Sequence, residues 1–119
     1  MLHWSDGPRE QGCIYHMRGT CPLGADALMV DVYVMPSIAR ARPIAVTIGR
    51  YRHDKPMRTE QWQLHGVDDM SPVARELPLV LAKVGVRPEH VPTLTSEIEQ
   101  LLVRESATLH DVLSSLAGG

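Results

Sequence analysis

The chain has no phenylalanine, and aromatic residues fill only 4% of its 119 positions. A planar cofactor needs stacking partners and an RNA-binding sheet of the RRM kind displays aromatic rings, so neither is well supplied. Cysteine is scarce as well. Cys13 and Cys21 stand alone, which fits a reducing compartment and argues against a disulfide-dense secreted scaffold. No stretch approaches the roughly 18 consecutive apolar residues of a membrane span. The N-terminal residues include His3, Asp6, Arg9 and Glu10, where a secretory signal would place an apolar run. The expectation is a cytoplasmic protein without membrane contact. Excess charge of one sign is missing too, since the net charge is -2, and this excludes a whole-molecule polyelectrolyte. Lysine is nearly absent: Lys55 and Lys83 stand beside ten arginines. With abundant Ala, Val, Gly and Pro, that ratio reads as the codon bias of a GC-rich genome and points to a bacterial source.

What is present is ordinary globular material, with 44% hydrophobic and 22% charged residues. A chain of this length buries about 65% of its unfolded surface without metal or disulfide staples. One domain over 1–119 is expected, made of an irregular arm (1–11), a sheet (12–65) and a helical part (71–117).

Within the arm, MLHWSDGPRE shows no periodicity and closes on a Gly-Pro turn signal, with Trp4 as its anchor. GCIYHMR over 12–18 reads as a short strand closed by Gly19. ALMVDVYVM over 27–35 alternates clearly, with Leu28, Val30, Val32 and Val34 on one face and Asp31 and Tyr33 on the other. PIAVTIGRYR repeats the pattern through Ile44, Val46 and Ile48, and after a polar turn at His53–Pro56 so does MRTEQWQLH through Trp62 and Leu64.

Beyond Asp69 the period changes from 2 to 3.6. Ser71-Pro72 opens a helix, with Ser71 as N-cap and the stripe Val73, Leu77, Val80, Leu81 and Val84, and Gly85 ends it. Pro78 clashes in principle with the carbonyl of Ala74, predicting a kink or two short helices. Pro88 and Pro92 bracket a loop, and Ser96 with Glu99 has the spacing of a capping box that starts the next helix. Its apolar face continues to Leu116, as one helix or as two with a restart at Thr108 and Asp111. The pattern predicts an α+β fold: an antiparallel sheet of about four strands followed by two or three C-terminal helices packed on one face.

Three groups of residues carry possible chemistry. Cys13, His16 and Cys21 have metal-ligand character, and a Cys-His pair is also the kernel of a nucleophilic enzyme. A structural zinc site takes four ligands, however, and the same residues serve equally as small buried hydrophobes and a solvent-side histidine. Second, Arg40, Arg42, Arg50, Arg52, Lys55 and Arg58 gather half of the twelve basic residues into one short segment. With Tyr51 to stack on a base, this hairpin (40–58) is a candidate nucleic-acid grip, although a solvated strand face has the same composition. Third, Ile98, Leu101, Leu102, Leu109, Val112, Leu113 and Leu116 form a long apolar stripe that a four-stranded sheet, already shared with the first helix, covers incompletely. That stripe is expected to form an interface, in a homodimer or with another protein.

No G-x-S-x-G, H-E-x-x-H, P-loop or G-x-G-x-x-G motif is present. Asp68 and Asp69 sit where a helix N-terminus favours negative charge and read as capping residues. No residue is assigned a catalytic role and no cofactor is expected. By elimination, the sequence reads as a small cytosolic bacterial binding or regulatory protein, non-enzymatic, acting through protein-protein contacts. The alternatives are a nucleic-acid-binding regulator using the basic hairpin and a small metal- or Cys/His-dependent enzyme.

Overall fold

The computed structural model describes residues 1–9, 12–35 and 42–118. Five strands form one antiparallel sheet: β1 (His3–Asp6), β2 (Tyr15–Leu23), β3 (Asp26–Val34), β4 (Ile44–Arg52) and β5 (Lys55–Leu64). Their spatial order is their sequence order. Three helices follow, α1 (Ser71–Lys83), α2 (Val91–Arg104) and α3 (Ser106–Gly118). The α+β architecture agrees with the sequence pattern, with one strand more than expected.

The additional strand lies in the segment read as an irregular arm. Four residues are too few to display alternation, and β1 exists through its pairing: Trp4 stands opposite Gly19 and packs against the core from the sheet edge. Next to it, β2 is longer than expected and runs through Gly19 and Pro22. Proline is tolerated there because β1 reaches only to Thr20, so the missing N–H falls on an unpaired side of the strand.

Alternation sorts the strands into two faces. Leu28, Val30, Val32 and Val34 of β3, Ile44, Val46 and Ile48 of β4 and Leu64 of β5 are at most 1% exposed. Against them pack Val73, Leu77 and Leu81 of α1 and Leu94, Ile98 and Leu102 of α2, all buried. The described helices therefore cover one face of the sheet.

Helix α1 passes through Pro78 without dividing. The carbonyl deprived of its partner belongs to Ala74, an exposed residue, where a lost hydrogen bond costs less than in the core. Ser71 is the first helical residue rather than the cap; Asp69 Oδ1 accepts its N–H at 3.0 Å. At the other end, Val86 N–H bonds Leu81 O at 3.1 Å and Gly85 N–H bonds Ala82 O at 3.0 Å. That is a Schellman stop, with Gly85 at φ +89° and Val86 and Leu81 both buried.

Helix α2 begins at Val91, five residues before the expected capping box, with Pro92 in its first turn rather than in a loop. The Ser96 hydroxyl bonds Gln100 instead. A turn at Glu105 separates α2 from α3, and the Tyr15 hydroxyl donates to Glu105 Oε1 at 2.9 Å, fastening that junction to β2.

The proposed interface stripe is redistributed by this packing. Ile98, Leu101, Leu102 and Leu109 are no more than 2% exposed in the chain's own core and offer no surface to a second chain. Val112, Leu113 and Leu116 are partly buried against the same core. A fifth strand widens the apolar face, so the sheet accepts more helix than four strands would.

Candidate functional site

The second face of the sheet carries the alternate residues, among them Arg18, Met29, Asp31, Tyr33, Thr47 and Gln61. No described helix covers it. At its β2–β3 corner, the loop after β1 bends back over the sheet. Gly7 N–H bonds His16 O at 3.0 Å, and Gly7 lies so close to the imidazole that an added Cβ would stand 2.4 Å from His16 Cδ2.

Here His16, Arg18 and Asp31 meet. Arg18 is the direct cross-strand partner of Asp31, and His16 is the partner of Tyr33, one alternation away. Asp31 Oδ1 accepts from Arg18 Nε at 2.7 Å and lies 2.7 Å from His16 Nε2. His16 Nδ1 is 2.6 Å from the Pro8 carbonyl oxygen. The histidine side chain is 10% exposed and that of Asp31 14%.

Tyr33 tilts against the imidazole with ring centroids 5.8 Å apart. Its hydroxyl accepts from Gln61 Nε2 at 2.8 Å and lies 3.1 Å from Thr47 Oγ1. His16, Arg18, Asp31, Tyr33 and Thr47, with Pro8, Cys13 and Met35, line a depression of about 290 Å³.

Cys13 and His16 thus share one depression, but Cys21 faces the helices on the opposite side of the sheet. Burial pushes the Cys21 thiol up, which disfavours the thiolate needed of a ligand or nucleophile. The Cys13 thiol points to the Tyr15 carbonyl at 3.1 Å. Among the described residues no three His, Cys, Asp or Glu side chains converge to hold a metal ion. With both ring nitrogens engaged, His16 has none left to activate a nucleophile.

The basic hairpin is divided as well. Arg50 and Arg52 turn to the helix side, where their Nε atoms reach Asp26 Oδ2 and Oδ1 at 2.5 and 2.7 Å. Hydrogen bonds from Arg52 and then Arg50 hold the Asp26 carboxyl below the usual carboxylate range. Tyr51 lies on the other face, its ring over Gly49. Arg58 stands 3.5 Å from Glu60, Arg42 and Lys55 are exposed, and Arg40 lies outside the described residues. Two of the candidate cations are thus committed to one buried carboxylate, and the aromatic ring stands across the sheet from them.

The sequence groups His16 with Cys13 and Cys21, whereas its partners in the fold are Asp31 and the Pro8 carbonyl. The available signal was an aspartate interrupting the apolar run of β3, since a charge in a central strand needs a neighbour of opposite sign. No family model, curated protein or solved structure matches the chain.

Proposed function

We propose that this is a small, non-enzymatic binding or regulatory protein of the bacterial cytosol, and that it acts through protein-protein contacts made by the open face of its sheet, where a second copy docks. The observation that carries the reading is the asymmetry of the sheet: one face lies under helices, while no described helix covers the other.

Size supports it. Four strands of nine or ten residues, at about 4.8 Å per strand and 3.4 Å per residue, make a face of roughly 600 Å². Two such faces pressed together bury about 1,200 Å², within the range of specific interfaces. Composition supports it too. Tyrosine, methionine and arginine are enriched in interface cores and lysine is depleted, and Tyr33, Met29 and Arg18 lie on this face without a lysine. The charges of Arg18 and Asp31 neutralise each other. The partly exposed centre around Thr47 and Met29 is uncharged, so a copy related by a two-fold axis meets no like charge there.

Sedimentation or light scattering of the purified chain tests the reading. The expected mass is twice 13.2 kDa, and Met29→Asp, which sets two carboxylates near the axis, should return the monomer with unchanged circular dichroism. A monomer at every concentration up to the millimolar range would overturn the proposal.

A further inference from the structure

We infer that the turn end of the β4–β5 hairpin is a binding site for a doubly charged phosphate group, inorganic phosphate or a phosphomonoester, held by Arg50, Arg52, Arg58 and Lys83.

These four cations line one depression beside the close of α1, together with Asp26 and Gly85. The hairpin register gathers three of them. Arg58 is the direct cross-strand partner of Arg50, and Lys55 is that of Arg52, so two like-charged pairs stand in succession. Like charges directly opposite destabilise a sheet, and Asp26 is already shared between Arg50 and Arg52. An added anion relieves the repulsion that is left.

The surplus of charge rests on arginine and lysine alone, which are cations at neutral pH. Against the four stand Asp26 and Glu60, the latter 3.5 Å from Arg58. The turn adds Asp54 and Lys55, one charge of each sign. Two positive charges remain. The C-terminal dipole of α1, about half a negative charge, lowers that surplus without reversing it. A dianion gains twice as much from such a field as a monoanion, which selects a phosphomonoester over a phosphodiester.

The donors are held in advance. Asp26 takes the Nε of Arg50 at 2.5 Å and that of Arg52 at 2.7 Å. Arg50 Nη1 donates to the Gly85 carbonyl at 3.3 Å, and Arg52 Nη2 reaches Asp26 again at 3.4 Å. Arg50 Nη2 and Arg52 Nη1 have no acceptor among the described residues. Guanidinium N–H groups fixed in this way suit phosphate oxygens. The Asp26 side chain is 1% exposed while that of Arg52 is 51% exposed, so the carboxylate braces the arginines from beneath and leaves their outer edges to solvent. Lys83 is exposed at the rim.

The test is a titration of inorganic phosphate at pH 8 and low salt into nitrogen-15-labelled protein, read at the Nε of Arg50 and Arg52 and at the Gly85 amide. Saturable shifts are expected, with a dissociation constant on the order of millimolar, and glycerol phosphate should reproduce them. Dimethyl phosphate, a monoanion that stands for the nucleic-acid backbone, should bind roughly fivefold more weakly. The double change Arg58→Ser, Lys83→Ser spares the Asp26 brace and should weaken phosphate roughly tenfold with unchanged circular dichroism. Arg75→Ser with Arg104→Ser removes the same charge from exposed positions elsewhere and should leave the affinity unaltered. None of these readings depends on the mass of the particle, since the site lies on the helix side of the sheet, away from the open face. Absence of saturable shifts, equal affinity for dimethyl phosphate, or equal losses in the two double variants would overturn the inference.

Discussion

Arg50 Nε lies 2.5 Å from Asp26 Oδ2, and the aspartate side chain is only 1% exposed. The two residues occupy adjacent strands at the end of the sheet nearest the close of α1, and Arg50 Nη1 also donates to the Gly85 carbonyl at 3.3 Å. One side chain therefore links the second hairpin, a buried carboxylate and a helix terminus.

The first prediction concerns acid. Arg52 and Arg50 lower the folded-state value of Asp26, so its contribution to stability is complete above the unfolded value of about 4 and is lost as pH falls through the lower folded value. Asp69, bonded by the Ser71 N–H, and Glu76, bonded by Trp62, shift in the same direction. Thermal unfolding of the wild type should weaken steeply below about pH 4. Asp26→Asn should melt lower at pH 7, because two guanidiniums lose their anion, and should show a shallower acid limb. An acid limb of unchanged slope would remove Asp26 from the account.

Gly85 gives the second. At φ +89° a side chain is strained, and a Cβ would stand 2.5 Å from Arg50 Nη1. Gly85→Ala should cost about 1–2 kcal/mol from the backbone alone, measured by urea unfolding, and should displace the Arg50 contact. Gly85→Asn should cost less, because asparagine tolerates the left-handed region. In an Arg50→Ala background the backbone cost should persist, which separates it from the contact.

The β4–β5 turn yields a stabilising prediction. His53 and Asp54 both adopt positive φ, 51° and 64°, as the centre of a type I′ two-residue hairpin demands. That turn prefers Asn-Gly. The double change His53→Asn, Asp54→Gly should raise stability by about 1 kcal/mol, read as a higher urea midpoint with an unchanged slope. A lower midpoint would mean that the native side chains make contacts outweighing the backbone strain.

Gly7 tests how firmly the first loop is seated. The His16 ring is held at both nitrogens and cannot swing away from an added methyl group at 2.4 Å. Gly7→Ala should therefore cost about 1–3 kcal/mol, the usual range for overpacking, and should speed amide exchange at Gly7, whose N–H bonds the His16 carbonyl. A loss below a few tenths of a kcal/mol would show that the loop does not rest on His16 in solution.

Strands β3, β4 and β5 were legible because each sets apolar residues at alternate positions against polar ones, which is the pattern a half-covered sheet demands. Strand β1 was not legible, since its four residues depend on β2 for their hydrogen bonds. The early start of α2 was hidden because Pro88 and Pro92 look alike in sequence, while only Pro92 falls in a first helical turn, where a missing N–H has no consequence. The Asp31 cluster required the register of the β2–β3 hairpin, which places Arg18 opposite Asp31. The strand was expected to stop at Gly19, and from that boundary the pairing of Arg18 with Asp31 could not be reached.

The meander order of the sheet bears on how the chain reaches its native state. Each strand pairs only with its neighbour in sequence, so the sheet grows hairpin by hairpin and needs no closure of a long loop across it, a topology that favours rapid folding. Its covering arrives late. Leu94, Ile98 and Leu102 lie well downstream of Leu64, the last residue of β5. During synthesis the valine- and isoleucine-rich face is complete before these residues leave the ribosome, and for that interval it is the surface most open to aggregation and to chaperones.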